Sequence, residues 1–572
     1  MDWSSVSKLN SSDRCIPIDQ HFKLCAGPGA GKTTFLINHI RNILSNSIRL
    51  SKTRKVACIT YTNTGVETIC NRLKDTAENV EVSTIHSFLY KHIVKPYLWL
   101  LEDLNFPLEV LDGHDEVKPG YSLLKEFKSR SNQQWIREDA ELANALTNLS
   151  WIIDSNGEIQ LGFLKPYYGK VGARNLKKDS YMVYKEICWE QGLLSHDDVL
   201  YFSYLIIREY EEIREIIRAK FPYFLIDEFQ DTSPIQVAIT KILAEKEIIV
   251  GVIGDPCQSI YSFQGADETI FNNFYLNNMS IYILENNHRS TQQIISLLNH
   301  MRKDDDFIQY SPDEKTGDIP TILIGDPLLA HIHFIGESGE KEFCILSYAN
   351  SVSKSLEFEM KNNESNEFDL FYIDSKRGRM IYYIVHAIEY GKQMKLQDAI
   401  KFIKKAFQSV DIFSNKDAFI TLQALLNDYN KIHSLNLKEF YNNYIFNRYD
   451  IKQKITSGKI SDLYEKLQYK DLATIVNISD DKSFYKTIHK AKGDQFENVL
   501  VIIPEKSRGN QLDFLLSPDM NKEEHRVYYV ALSRAKQRLY INVPTLSKES
   551  LENLSWLEIN VIDLRKTLIE IS

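Results

Sequence analysis

The stretch CAGPGAGKTTFL, residues 25–36, decides how the rest of the chain is read. Ala26 takes the first loop position, where a glycine is usual, and the turn still closes through Gly27, Gly29, Ala30 and Gly31. Glycines let the backbone turn successive N–H groups inward around an anion. The helix expected from Lys32 adds its positive N-terminal end. Lys32 can reach the β- and γ-phosphates, the Thr33 hydroxyl can ligate Mg²⁺, and Thr34 completes the set of loop residues against the nucleotide. An apolar FKLC run precedes the loop and FLINHI follows it. That order of apolar run, small-residue loop and helix predicts a phosphate-binding loop in an α/β domain.

Working outward, 572 residues are enough for several domains. Hydrophobic residues make up 43% and charged residues 25%, as in ordinary globular chains. A net charge of −9 argues against wholesale coating of nucleic acid but leaves room for a local basic groove. The seven cysteines are scattered, without a C-x-x-C pair, which argues against zinc and iron–sulfur sites and fits a reducing cytoplasm. The first twenty residues are polar and no apolar run reaches about 18 residues, so no membrane partner is expected.

Short apolar runs recur along the chain: KVACIT (55–60), YFLIDE (223–228), IIVGVIGD (248–255), FCILSY (343–348), NVLVIIP (498–504) and LYINVP (539–544). Continuous runs of this kind, alternating with helices, read as parallel strands buried on both faces, with functional loops at their carboxyl ends. Residues 91–195 and 376–480 interrupt the series with mostly helical patterning, clearest in KLQDAIKFIKKAF. KNNESNEFD (361–369) reads as a solvated loop. The expected fold is α/β, with two P-loop NTPase cores that each carry a mostly helical insertion.

FLIDEFQD (224–231) places Asp227 and Glu228 side by side after an apolar strand. A nucleotide hydrolase needs one carboxylate near Mg²⁺ and another to activate water. Asp227 suits the metal and Glu228 the water.

With these residues in place, GDPCQSIYSFQGAD (254–267) and ALSRAKQRL (531–539) resemble motifs of the superfamily 1 DNA helicases of the UvrD, Rep and PcrA type. TYTNTGVETICNRL (60–73), VSTIHSF (82–88), GLLSHDDVL (192–200), LENNHRST (284–291), TIHKAKGDQFENVLVI (487–502) and EEHRVYYVALSRAKQRL (523–539) resemble further motifs, in the family order. The resemblance implies two RecA-like cores. The first is 1–90 with 196–285, interrupted by insertion 1B at 91–195. The second is 286–375 with 481–572, interrupted by a compact insertion 2B at 376–480.

The resemblance also implies roles. Gln258, Arg289 and Arg534 would meet the γ-phosphate, the two arginines arriving from the second core as arginine fingers. Glu497 would contact the nucleotide sugar. Thr62, Asn63, Thr84, His86 and His489 would contact single-stranded DNA, and Tyr261 and Phe263 would stack on a base or on the nucleotide. Arg534 is expected at the cleft, so that its loss touches turnover and hardly folding. ATP and Mg²⁺ are the implied cofactors. The implied activity is an ATP-driven translocase that moves 3′ to 5′ on single-stranded or tailed DNA.

Departures from the family pattern bear on this reading. Asp13 stands where an adenine-reading glutamine is usual, Phe263 and Gln264 replace Trp and Arg, His288 replaces Tyr, and Thr64 replaces Lys. The short second insertion resembles the helicase-like subunits of Gabija-type bacterial defence systems. That opens an alternative: a DNA-sensing ATPase that supports a partner nuclease of the OLD type without robust unwinding. No nuclease constellation is present in the chain itself.

Overall fold

The structure is a computed structural model that describes residues 6–101, 114, 117, 119–153, 157–262, 265, 268–338, 342–348, 377–407, 415–446, 454–470, 472, 473, 484–505 and 510–567. Phe263, Gln264 and the 361–369 loop lie outside these residues. The chain divides into two compact units, one of residues 1–119, 123–353 and 485–572, the other of residues 120–122 and 354–484.

The first unit holds two parallel sheets. One has seven strands: β1 (Val6–Lys8), β2 (Phe22–Ala26), β3 (Val56–Thr60), β4 (Val80–Thr84), β5 (Tyr223–Ile226), β6 (Ile249–Gly254) and β7 (Ser280–Leu284). Their order across the sheet is β1-β7-β2-β6-β5-β3-β4, and every pairing is parallel. The apolar runs of the sequence are the central strands, and β2, β3, β5 and β6 are buried at every position.

Alternation along each strand feeds two separate cores. Leu24, Cys58 and Leu225 face Phe35 and Ile40 of the helix after the loop, α1 (Lys32–Asn46). Cys25, Ile59, Ile226 and Val252 face Phe88 and the helices of the first insertion. Gly251 is required by close approach, since a Cβ there would lie 2.2 Å from the Phe22 ring.

The second sheet has six strands: β8 (Thr321–Ile324), β9 (Phe343–Ser347), β10 (Tyr485–Thr487), β11 (Phe496–Ile502), β12 (Ala535–Val543) and β13 (Asn560–Asp563). They run β10-β9-β11-β12-β8-β13, again all parallel. Helices Gln292–Arg302 and Glu523–Leu532 pack against it through Ile294, Leu298, Met301, Val527 and Val530.

The segment read as mostly helical, 91–195, has helices Tyr121–Arg130, Asp139–Thr147 and Tyr181–Glu190. It also forms two antiparallel hairpins, Ser150–Ile153 with Ile159–Gly162 and Lys170–Val171 with Arg174–Asn175.

The second unit is helical. Helices Arg377–Lys392, Leu396–Ala406 and Asn415–Asn427 enclose a core that includes Ile384, Ile388, Ile403 and Leu422. Inside it the Tyr469 hydroxyl donates to Glu389 at 2.9 Å. Among the described residues no helix is long and apolar enough to cross a membrane.

Candidate active site

Because the seven strands are parallel, their carboxyl ends share one edge, and the loops leaving β2, β5 and β6 bring Gly27–Lys32, Asp227–Glu228 and Asp255–Gln258 to it. Gly29 and Gly31 have φ of 71° and 86°, the left-handed backbone that the loop turn needs. Gly31 caps α1, so the helix opens at Lys32. The Lys32 ammonium donates to the carbonyls of Ala26 at 3.1 Å and Gly27 at 3.4 Å, lying across the cradle that a phosphate would fill. Ala30 is buried, Thr33 is half-buried, and Thr34 accepts from Arg72 at 3.5 Å.

A segment between the two sheets covers the loop from outside. His288 N–H donates to Gly29 O at 3.0 Å and Gln309 Nε2 to Pro28 O at 3.0 Å. A Cβ on Gly27 would meet the Gln309 amide at 2.4 Å and displace it, and one on Gly29, where φ is 71°, would meet Asn287 Oδ1 at 2.3 Å.

Glu228 has φ 52°, a left-handed conformation rare for glutamate and of the kind that clusters at functional sites. Its N–H donates to Asp227 Oδ1 at 3.0 Å, and its carboxylate accepts from Gln230 Nε2. Burial and the adjacent Glu228 charge push the Asp227 carboxyl up. Burial works against the Glu228 charge too, but Lys32, Lys492, Gln230 and Arg534 outweigh it and hold Glu228 below its ordinary value. Lys32 acts on both members of the pair, while Lys492 and Arg534 add their charge on the Glu228 side. A divalent ion beside Asp227 would complete this arrangement.

The cations come from the second sheet and its flanks. Arg289 is half-buried, with Nε donating to Gln495 Oε1 at 3.1 Å and Nη1 to Ser533 O at 2.8 Å. Arg534 precedes β12 and is 2% exposed. Its Nε donates to Val530 O at 3.0 Å, Nη1 to Asp494 O at 3.2 Å, and Nη2 to Ser533 Oγ at 2.7 Å and Gln258 Oε1 at 3.5 Å. Burial, with Arg534 nearby, pulls Arg289 down to about 9, and burial pulls Arg534 down to about 10. Both stay protonated at neutral pH, crowded together where an added anion would be held. Arg534 is thus anchored in its own core as well as aimed at the cleft, so its loss is expected to lower stability as well as turnover.

The residues expected at the strand side separate into groups. Tyr61 and Tyr261 stack with ring centroids 4.8 Å apart, and the Tyr261 hydroxyl donates to His489 O at 3.3 Å, joining the two cores. The His489 ring lies between Tyr261 and Tyr348, 6.1 and 6.0 Å from them. Asn63 is exposed at the first turn of its helix. Thr62 and Thr84 are helix N-caps whose hydroxyls accept from Gly65 N at 3.0 Å and Ser87 N at 3.3 Å. Burial and the neighbours His196 and His114 drive His86 down to about 3, so it offers no cation to a phosphate.

Glu497 is paired with Lys536 at 3.0 Å, whereas Gln495, two residues earlier, is bonded to Arg289. Gln495 and Asp494 are side chains of that stretch that the structure brings beside the arginines.

Sequence reasoning passed over several groups here. Lys492, from the loop between β10 and β11, pairs with the buried Asp231, donates to Gln258 O at 2.7 Å and lies 4.8 Å over the Tyr261 ring. Gln230 accepts Asp255 N–H at 3.0 Å. Both lie in motifs already quoted and were open to notice. Arg302 had no such signal, since it reads as an ordinary cation at a helix C-terminus.

Residues 10–279 match the model of the UvrD/REP helicase N-terminal domain, and residues 339–545 that of the UvrD-like helicase C-terminal domain. The chain is 23% identical to the "Probable DNA helicase II homolog" of Mycoplasma capricolum subsp. capricolum, over 92% of this chain and 82% of that protein. It is 26% identical to "ATP-dependent DNA helicase Rep" of Escherichia coli over 59% of this chain and 51% of that one. With "ATP-dependent DNA helicase PcrA" of Bacillus subtilis the identity is 27%, over 49% of this chain and 37% of that protein. The match thus spans about four-fifths of the first relative and about half or less of the other two.

Proposed function

The chain belongs to the UvrD/Rep family of DNA helicases, and from that premise we propose that it is an ATP-driven motor on single-stranded DNA. The observation that carries the reading is the meeting of Arg289 and Arg534 with Glu228 and Gln258 at one cleft between two parallel sheets.

In this reading the loop N–H groups and Lys32 hold the β- and γ-phosphates, and Lys32 exchanges the Ala26 and Gly27 carbonyls for phosphate oxygens. Thr33 and Asp227 would hold Mg²⁺, which when bound screens the phosphate charge. Among the described residues no three His, Cys, Asp or Glu side chains could cage a metal alone, so such an ion would also rely on phosphate oxygens and water. Glu228, ionised, takes the proton of the attacking water. Arg289, Arg534 and Gln258 face the charge that builds on the transferred phosphoryl group.

Hydrolysis needs both cores, so any change in their approach changes the rate. Tyr61, Tyr261 and His489 lie at the same junction and stack on bases of the strand. Lys492 touches Tyr261 on one side and Asp231 and Gln258 on the other, which links strand contact to the phosphate side.

Steady-state ATP hydrolysis with and without single-stranded DNA tests the reading. Strong stimulation by DNA is expected, and equal turnover in both conditions contradicts it. A 3′-to-5′ direction, proposed from the family resemblance, is read by comparing displacement of 3′- and 5′-tailed duplexes. A Gabija-like association with a separate nuclease rests on the compact second insertion, and co-purification with a nuclease encoded beside it is the test.

A further inference from the structure

Arg302 closes the helix Gln292–Arg302, which packs on the second sheet, yet its guanidinium ends in the first core. Nη1 bonds Asp255 Oδ1 at 2.9 Å, and the pair is 2% and 0% exposed. Nη2 lies 3.9 Å from Cys25 Sγ, at the end of the strand that enters the phosphate loop, and the guanidinium lies 3.9 Å over the Phe307 ring. Asp304 is 3.7 Å from Nε.

Asp255 is buried, so its carboxylate needs fixed partners inside the protein, and Arg302 is one of them. The second carboxylate oxygen, Oδ2, accepts Gln258 Nε2 at 2.7 Å. A carboxylate paired with a guanidinium presents acceptors, so this bond fixes which end of the Gln258 amide is which. One N–H is committed to Asp255, while the other N–H and Oε1 are left toward the cleft, where Oε1 meets Arg534 at 3.5 Å.

We infer that Arg302 is a positioning residue for nucleotide hydrolysis: by fixing the Asp255 carboxylate it locks the Gln258 amide in the orientation that faces the γ-phosphate. The cation comes from one core and the glutamine from the other, so the lock exists only while the two are docked. The inference rests on the proposed role of Gln258 in ATP hydrolysis.

A double-mutant cycle separates positioning from mere packing. Arg302→Met lowers kcat for DNA-stimulated ATP hydrolysis by about 10²-fold, the scale of losing one oriented group at a transition state, with a small change in KM. In a Gln258→Ala background the same substitution lowers kcat no further, while the melting temperature falls equally in both backgrounds. Arg302→Lys keeps the charge without the fork and gives an intermediate kcat, and it serves if the methionine variant does not fold. An equal fold-loss of kcat in both backgrounds overturns the inference, as does unchanged kcat in Arg302→Met and Arg302→Lys. Parent-rate hydrolysis by Gln258→Ala alone removes the reading of Gln258 and the inference with it, whereas a slow Gln258→Ala beside a fast Arg302→Met removes only the inference.

Discussion

Asp197-Asp198 and Asp227-Glu228 are both pairs of adjacent acids with a lysine close by, Lys185 for the first and Lys32 for the second. Their surroundings differ. Asp198 accepts from Lys185 at 2.7 Å, Trp151 Nε1 at 3.0 Å and Ser195 N at 2.9 Å, and Ser195 and Asp198 together cap helix His196–Glu209. Asp197 accepts from Trp151 N. That pair is bonded into the insertion. Asp227 and Glu228 are bonded, among the described residues, to little more than their own segment, and Lys32 donates to backbone carbonyls. A structural carboxylate has its oxygens filled by fixed donors, and a reagent keeps bonding capacity in reserve.

The sharpest way to break this contrast is to remove the cation beside each pair. Arg289→Ala lowers DNA-stimulated ATP turnover by about 10³-fold or more, the scale of an arginine finger, and leaves the melting temperature near the parent value. Arg534→Ala gives the same loss of turnover and also melts lower, because its bonds to Val530, Asp494 and Ser533 go with it. Lys185→Met removes the partner of a fully buried Asp198 and lowers the melting temperature, while turnover per folded molecule stays within about threefold of the parent, as expected of a change with no role in the transition state. Turnover that collapses in Lys185→Met well below its melting temperature would erase the distinction.

The sequence carries part of this contrast. The phosphate loop, the buried parallel strands and the two α/β cores follow from small-residue spacing and apolar runs, because those signals are local. The acid pairs also differ locally: S-H-D-D places serine three residues before the second acid, the spacing of a capping box, while D-E follows an apolar strand.

Contacts between distant segments leave no such mark. Arg302 and Asp255 are 47 positions apart, and Lys492 and Asp231 are 261 apart. Thr62 and Thr84 lie in segments that resemble strand-binding motifs, and the hydroxyl that suits a phosphate also suits the helix cap each one forms. Glu497 and Gln495 lie two residues apart, and only the tertiary structure gives Lys536 to one and Arg289 to the other. The two hairpins of the first insertion have strands of two to four residues, too short to outweigh the helical pattern around them.

The smallest expected effect is one of pH on the structural pair. Burial raises Asp197 from 3.8 to about 6. The folded protein therefore binds this proton more tightly than the unfolded chain, and stability falls as pH rises through that window. Asp197→Asn removes the penalty and keeps an acceptor for Trp151 N–H. Its melting temperature exceeds the parent's by more at about pH 8 than at about pH 5, and catalysis is unaffected. Melting curves at both pH values check this, and a gain that is larger in acid refutes the assignment.

The central claim is that Glu228 is the reagent held in reserve, and Glu228→Gln tests it most directly. The substitution keeps size and the Gln230 contact but removes the base. Single-turnover hydrolysis with bound single-stranded DNA, alongside ATP binding on the same preparation, is the measurement. The account predicts ATP binding near the parent level and a hydrolysis step slower by about 10² or more, the scale of general-base loss. Hydrolysis at the parent rate by the glutamine variant would contradict it.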